Sequence, residues 1–264
     1  MVYVKLVYKP FAYIHVEQNK NTNKGCKKEY IVHGRKYIKI EKNVIICPMK
    51  KCKICNSYTT AITDTKTQKI YHKCLTCDYI FLDEVFYVDM QREKKHYDKH
   101  HNTFESLGYV KMFENLIEEF VLPYKKDIKC TLDFGCGEGE VLPILLEKNG
   151  MTCERYDLFY FPKKVYEGKK YDLILSTEVF EHLQNPLEVL NKLLLHVEKN
   201  GYLLLMSAFH PNNDDAFLKW WYIRDITHIG FFNLQTFEYL ADKLGLTVIK
   251  HNSKNIILFQ KREV

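Results

Sequence analysis

No apolar run in this chain of 264 residues approaches the ~20 residues that a membrane-spanning helix requires. No helical span is therefore expected. The stretch Met1–Gln18 alternates polar and apolar residues and lacks the continuous apolar centre of a secretory signal. Without an export signal, the nine cysteines do not read as a disulfide framework. Four of them have metal-ligand spacing instead, which points to a reducing, cytoplasmic setting. The one glycine-rich loop, Gly135-Cys136-Gly137-Glu138-Gly139, is followed by no Walker lysine, which argues against a nucleoside triphosphate.

Charge is unevenly distributed. Residues 1–100 hold 20 Lys+Arg against 10 Asp+Glu, a balance of +10, and subtraction from the chain totals of 39 and 33 leaves 19 against 23, or −4. A basic front half suits an anionic partner such as nucleic acid. A solvated lysine-rich surface accounts for the same numbers, and both readings stay open.

Four regions emerge in order. Residues 1–46 carry two strand-like pieces, Val2–Val16 and Tyr30–Ile46, around the polar stretch Glu17–Lys28. They read either as a β-hairpin or as an extension with little order. Residues 47–88 contain Cys52-x-x-Cys55 and Cys74-x-x-Cys77, which enclose 18 residues. Each two-residue gap lets the chain curl so that both thiolates face one ion, and the insert has strand-like pieces at Tyr58–Ile62 and Lys69–His72. That is the pattern of a zinc ribbon, with a structural Zn²⁺ closed by Cys52, Cys55, Cys74 and Cys77. A pair of redox dithiols is the alternative. Cys47 and His72 are nearby substitute ligands that do not improve the spacing.

Residues 89–128 form a helical linker, with apolar positions 109, 110, 112, 113, 116, 117 and 120 at helical spacing. His96 and His100 stand at i, i+4, as metal ligands or as exposed or hydrogen-bonded side chains. Tyr97, His100, His101 and Asn102 are placed to cover a cofactor pocket. Residues 129–264 alternate strands and helices: a strand over Cys130–Phe134, a helix to about Lys148, strands at Thr152–Tyr156 and Tyr171–Ser176, a helix from Pro186, a strand at Tyr202–Ala208, a helix over Asn233–Leu244 and a terminal hairpin. This is an α/β, doubly wound Rossmann-like sheet, preceded by a small β-rich zinc-ribbon module, with ligands expected at the C-terminal strand ends.

Asp157 lies 24 residues after Asp133, at the end of the second strand. A carboxylate there can grip ribose hydroxyls of a dinucleotide or of S-adenosylmethionine. The segments LDFGCGEGE (132–140), YDL (156–158) and YDLILSTEVFEHLQNP (171–186) resemble the class I S-adenosylmethionine-dependent methyltransferases. The E-V-F-E-H run is similar to the branch that includes ubiquinone-biosynthesis-type enzymes. The resemblance covers about 129–260. It implies a methyltransferase in which Asp133, Gly135, Cys136, Gly137 and Gly139 line the methionine part of the cofactor. It further implies that Asp157 holds the ribose, with Thr177, Glu178 and Val179 after the strand facing the methyl group. Only 14 residues run from Asp157 to Tyr171, so the usual third strand is expected to be short or missing, and no adenine contact is assigned. Phe159, Tyr160 and Phe161 are candidates to stack on the ring or to pack in the core.

On the acceptor side, Glu178, Glu181 and His182 stand at i, i+3 and i+4. They either share a helix face that binds a divalent ion, or the carboxylates cap the helix while His182 bonds backbone. A lid over 209–232 contains Y-I-R-D-I-T-H-I-G-F-F, similar to a stretch in the same branch. There Asp225 orients His228 as a general base, or the two tie the loop together, and Trp221, Tyr222 and Phe231 wall a pocket. His210 is a lower-ranked base. No [Asp/Asn/Ser]-Pro-Pro-[Tyr/Phe] and no Pro-Cys follows the strand at 171–176, which argues against exocyclic amino methylation of a base and cytosine C5 chemistry. The expected activity is methyl transfer to a small or lipophilic acceptor. RNA or protein, recruited through the basic half, and a non-catalytic cofactor-sensing module are the alternatives.

Overall fold

The structure, a computed structural model, describes residues 28–32, 35–39, 50–99 and 103–262. Strands β1 (Lys28–Val32) and β2 (Arg35–Lys39) pair antiparallel, with Tyr30 opposite Tyr37. This short hairpin lies at the start of the second strand-like piece, and any pairing of that piece with Val2–Val16 falls outside the described residues. The piece Val2–Val16, Cys47 and His100–Asn102 lie outside the described residues.

Strands β3 (Thr59–Thr63), β4 (Ile70–Cys74) and β5 (Ile80–Leu82) form an antiparallel meander. Asp64 shapes its first turn, accepting from Lys66 N at 2.9 Å and from Thr67 Oγ1 at 2.8 Å. Helix α1 (Met90–Tyr97) starts where Asp89 Oδ1 accepts from Arg92 N, a side-chain N-cap. Helix α2 (Leu107–Leu116) runs on through a π turn at Ile117–Val121, so the apolar stripe read from 109 to 120 stays helical.

The main sheet follows the expected alternation: β6 (Cys130–Phe134), α3 (Val141–Lys148), β7 (Thr152–Tyr156), β8 (Tyr171–Thr177), α4 (Pro186–His196) and β9 (Val197–Met206). Then come α5 (Asp214–Lys219), β10 (Gly230–Phe231), α6 (Leu234–Leu244), β11 (Leu246–His251) and β12 (Ile256–Lys261). The spatial order is β11-β12-β9-β8-β6-β7, parallel from β7 to β9, with β12 antiparallel to β9 and to β11. No strand lies between β7 and β8 in the chain, so β7 is the sheet edge and the expected third strand is missing.

Alternate residues of the central strands enter opposite cores, as a pleated strand buried on both faces requires. Ile174, Leu203, Leu205, Ile257 and Phe259 pack with Leu190 and Leu193 of α4 and Phe237 and Leu240 of α6. Leu173, Leu175, Leu204, Met206 and Leu258 pack with Phe113 and Leu116 of α2 and Leu142 and Leu146 of α3. The sheet is therefore doubly wound. Burying each such side chain contributes roughly 1.5–3 kcal/mol.

The cysteine module is not a bead on a string. β10, from the expected lid, adds to β5 as a fourth strand, with Gly230 opposite Phe81 and Leu82 N donating to Ile229 O at 2.9 Å. Lid residues Phe217, Tyr222, Ile229 and Phe231 pack on Ile62, Tyr71, Ile80 and Leu82. Gly230 is required sterically, because a Cβ there would overlap the Tyr79 hydroxyl. That hydroxyl is buried without a hydrogen-bond partner. Gly230→Ala is expected to destabilise the fold by about 1–3 kcal/mol in urea denaturation. Tyr79→Phe should recover most of that loss in the double variant, and an unrescued double variant would show that the overlap is not the cause.

Candidate active site

The glycine loop leaves β6 at Phe134 and turns back under the end of β7, where Gly135 N donates to Tyr156 O at 2.7 Å. Gly135 and Gly137 have φ of 80° and 61°, a region that disfavours a Cβ. At Gly135 a Cβ would also strike Val179, whereas the space beside Gly137 is open. Asp157 binds the loop across the strands: its Oδ2 accepts from Gly137 N at 3.0 Å. Its Oδ1 accepts from Phe159 N at 2.8 Å and Tyr160 N at 3.0 Å. A carboxylate has about four acceptor directions, so one remains.

Asp133 is buried, and its Oδ1 has no partner. Burial pushes its carboxyl up to about 7, with the charge of Arg155 opposing and that of Asp157 adding. An orphaned buried carboxyl beside an open glycine loop fits a cationic ligand group, which would supply the missing partner. Cys136 points its thiol at Gly137 O, 3.3 Å away, and Gly139 is half-buried in the same loop. Thr177 ends β8 next to β6, Glu178 turns through φ 53°, and Val179 comes to rest on Gly135.

Helix α1 crosses this end of the sheet. Tyr97 meets Phe159 at 5.9 Å and His182 at 5.2 Å between ring centroids. Tyr160 donates to Asp98 at 2.7 Å, and the Arg155 guanidinium lies 4.2 Å from the Phe161 ring centroid. The linker thus touches both the loop after β7 and the segment after β8.

There the geometry departs from a helix start. Glu178 has left-handed backbone, Phe180–His182 is a single 3₁₀ turn, and α4 begins only at Pro186. Glu178 and Glu181 neither cap that helix nor line its face. Both carboxyls turn to one hydroxyl: Tyr222 Oη lies 2.6 Å from Glu181 Oε1 and 2.9 Å from Glu178 Oε2. Burial, reinforced at Glu178 by the charge of Glu181, holds both carboxyls above the usual carboxylate range. The second oxygen of Glu181, Oε2, is buried without a partner.

Two histidines face the same spot. His182 Nδ1 lies 3.1 Å from Thr227 O and His228 Nδ1 lies 2.8 Å from Tyr222 O. Those carbonyls can only accept, so each Nδ1 carries the hydrogen and each Nε2 keeps its lone pair. Single donor atoms of Glu181, His182 and His228 all fall within 4.8 Å of one another. Two imidazoles fixed by backbone carbonyls and the Glu181 carboxyl, whose Oε1 lies 3.9 Å from His182 Nε2, form a donor set suited to a divalent cation. Burial, then the proximity of His182, pushes His228 down to about 4.

Asp225 does less for His228 than its spacing implies. Its Oδ1 accepts from Thr227 N and Oγ1, and its Oδ2 lies 3.0 Å from His96 Nε2 but 4.0 Å from His228 Nε2. The Tyr222 carbonyl orients His228 instead. His210 is spoken for, with its ring nitrogens 3.0 Å from Pro211 O and 2.9 Å from Asp78 O. Tyr222 as the hub and His96 as the partner of Asp225 were not foreseen. The aromatic run flags Tyr222 only as a wall, and nothing near His96 in sequence names a partner 129 residues away.

In the cysteine module, Cys52 and Cys77 Sγ lie 3.5 Å apart and Cys55 and Cys74 Sγ 3.2 Å apart, all four within 4.8 Å. Tetrahedral ligands at ~2.3 Å would stand roughly 3.8 Å from each other, so the set fits Zn²⁺. Backbone N–H groups of Ile54, Thr76 and Cys77 point at the sulfurs of Cys52 and Cys74, as thiolates require. His72 is engaged elsewhere, 2.8 Å from Asp83.

Solved structures of similar topology share little sequence. A Bacillus halodurans protein described as a candidate methyltransferase is 12% identical, over 58% of this chain and all of its own, with a TM-score of 0.42. The plantazolicin methyltransferase BpumL, in complex with SAH and a desmethyl analogue, is 15% identical over 66% of this chain and 90% of its own, at 0.43. The mitomycin 7-O-methyltransferase MmcR is 12% identical over 66% of this chain and 58% of its own, at 0.44. No curated protein sequence matches the chain. Residues 101–251 match the family described as a methyltransferase domain, and the chain belongs to that family, the class I S-adenosylmethionine-dependent methyltransferases.

Proposed function

We propose that this protein transfers a methyl group from S-adenosylmethionine to a small acceptor held beneath the lid, in the manner of the ubiquinone-biosynthesis-like branch. The observation that carries the reading is the orphaned, buried Asp133 beside an open glycine loop strapped to Asp157. When bound, the cofactor supplies an electrophilic methyl group on sulfur. Asp133 would hold its ammonium group and the free acceptor direction of Asp157 a ribose hydroxyl, with Gly135, Cys136, Gly137 and Gly139 lining the methionine part. Thr177 and Glu178 would border the reacting end. Tyr97 and α1 would cover the pocket and exclude water.

Acceptor chemistry would fall to the cluster around Tyr222. His228 is held neutral, so its Nε2 can take a proton from an acceptor hydroxyl at neutral pH. Asp225 and Thr227 fix the loop that carries it. In the alternative arrangement a divalent cation on Glu181, His182 and His228 would take up that same Nε2 and lower the acceptor's pKa, and His228 would then be a ligand rather than the base. Zn²⁺ on Cys52, Cys55, Cys74 and Cys77 would be structural, with no open position. Trp221, 71% exposed in the lid, and Trp220 offer an apolar wall for a small acceptor. The basic front half supports RNA as the second reading.

Labelled cofactor with cell extract, fractionated into RNA, protein and small molecules, tests the reading. Label in small molecules is expected. Label in RNA would favour the second reading, and binding without transfer would leave a cofactor-sensing scaffold. Turnover that chelation stops and an added divalent transition metal restores would make His228 a ligand; turnover indifferent to both would remove the divalent cation and leave His228 as the base. His228→Ala should abolish turnover while S-adenosylhomocysteine affinity stays within about twofold.

Asp133 gives a pH signature. Its folded pKa of about 7 exceeds the roughly 3.9 of an unfolded Asp, so its contribution is lost as pH rises through 7. The free protein should therefore melt at lower temperature at pH 8 than at pH 6. Affinity for S-adenosylhomocysteine, which bears the same ammonium, should rise over that interval. Asp133→Asn should flatten both trends, and trends unchanged by it would exclude this role.

A further inference from the structure

A groove opens beside the proposed acceptor side and has no part in the chemistry above. It is a cavity of about 290 Å³ whose wall is mainly apolar, made by Ile226 and the stems of Arg92, Lys95, His96 and Lys99, and Arg92, Lys95 and Lys99 are exposed. Arg92, Lys95 and His96 share one face of α1, and Lys99 continues it in the turn that follows. From Arg92 to Lys99 the cations extend over seven residues, about 10 Å at helical rise.

No acidic side chain pairs with Arg92, Lys95 or Lys99 among the described residues, whereas Lys94 on the neighbouring face pairs with Asp98 at 2.8 Å. The acids of this segment are all committed. Asp89 caps the helix, Glu93 accepts from Tyr97 at 2.7 Å, and Asp98 serves Lys94 and Tyr160. Asp225 is bound by His96 and Thr227. Three cations at helical spacing without partners repel one another and raise the affinity of the groove for an anion.

The groove is also in the right place. Its wall residue His96 contacts Asp225 at 3.0 Å, and the same carboxylate oxygen is 4.0 Å from His228 Nε2. One carboxylate therefore separates the groove from the proposed base. We infer that the groove formed by Arg92, Lys95 and Lys99 binds a phosphate ester carried by the methyl acceptor. This inference rests on the methyl-transfer reading and names its substrate class. Phosphate suits the groove better than a lone carboxylate, because its three free oxygens can engage cations on successive turns. The ester belongs either to a small phosphorylated molecule or to a nucleic-acid backbone.

The test is calorimetric titration of the full chain with inorganic pyrophosphate and, separately, with a short single-stranded RNA oligonucleotide. Lys95→Glu/Lys99→Glu is compared with Lys199→Glu/Lys243→Glu, which changes net charge equally at two exposed lysines elsewhere. The groove variant is expected to weaken binding by roughly tenfold or more, with a reduced salt dependence, while the control variant and S-adenosylhomocysteine affinity stay unchanged. Loss on both probes assigns the site to an isolated phosphate ester, and loss on the oligonucleotide alone assigns it to a nucleic-acid backbone. Absence of binding of both probes to the unaltered protein, equal binding in the groove variant, or equal loss in the control variant would overturn the inference. A protein that binds S-adenosylhomocysteine but neither probe would sink the groove alone; failure to bind S-adenosylhomocysteine would count against the methyl-transfer reading itself.

Discussion

Two backbone pairs between β10 and β5 tie the proposed acceptor side of this protein to its cysteine module. Gly230 lies two residues after His228, and Ile229 N donates to Glu181 O at 2.8 Å. The short strand therefore fixes His228 and Glu181 together, and β5 holds that strand in place. Arg224 to Asp64 at 3.1 Å and Lys53 to Gln184 O at 3.0 Å brace the same seam. A two-residue strand has little stability of its own. It is held by Phe231 and its neighbours packed on β4 and β5, the strands beside the Cys52–Cys77 cluster.

The proposed donor and acceptor halves of the site have different physical origins. The donor half is local: a strand, a glycine loop and a helix, closed by one carboxylate from the adjacent strand. The acceptor half assembles from four separate segments, α1, the end of β8, the Tyr222 turn and the loop before β10. It concentrates buried carboxyls and imidazoles that would each be costly alone. A shared tyrosine hydroxyl and two backbone carbonyls offset part of that cost.

That division decides what could be read from sequence. The glycine loop, the strand before it and Asp157 are legible because their spacing is set within one β-α-β unit. The Cys52–Cys77 pattern is legible because ligand curling is a two-residue property. The missing strand follows from chain length, since Asp157 to Tyr171 leaves no room for a crossover helix and a strand. Glu178 and Glu181 misled: spacing of i, i+3 describes a helix face only if the backbone is helical, and Glu178 is left-handed. Asp225 misled in a similar way, with a near neighbour in sequence but a closer partner on α1. Gly230 carried no signal, because its reason is Tyr79 in another module.

The central claim is that the acceptor half hangs on the cysteine module while the donor half stands without it. Amide hydrogen exchange of the full chain with Cys55→Ser tests this most directly. The account predicts faster exchange in the module and in residues 221–231, with residues 130–148 protected as before. Unchanged protection across residues 221–231 would contradict it.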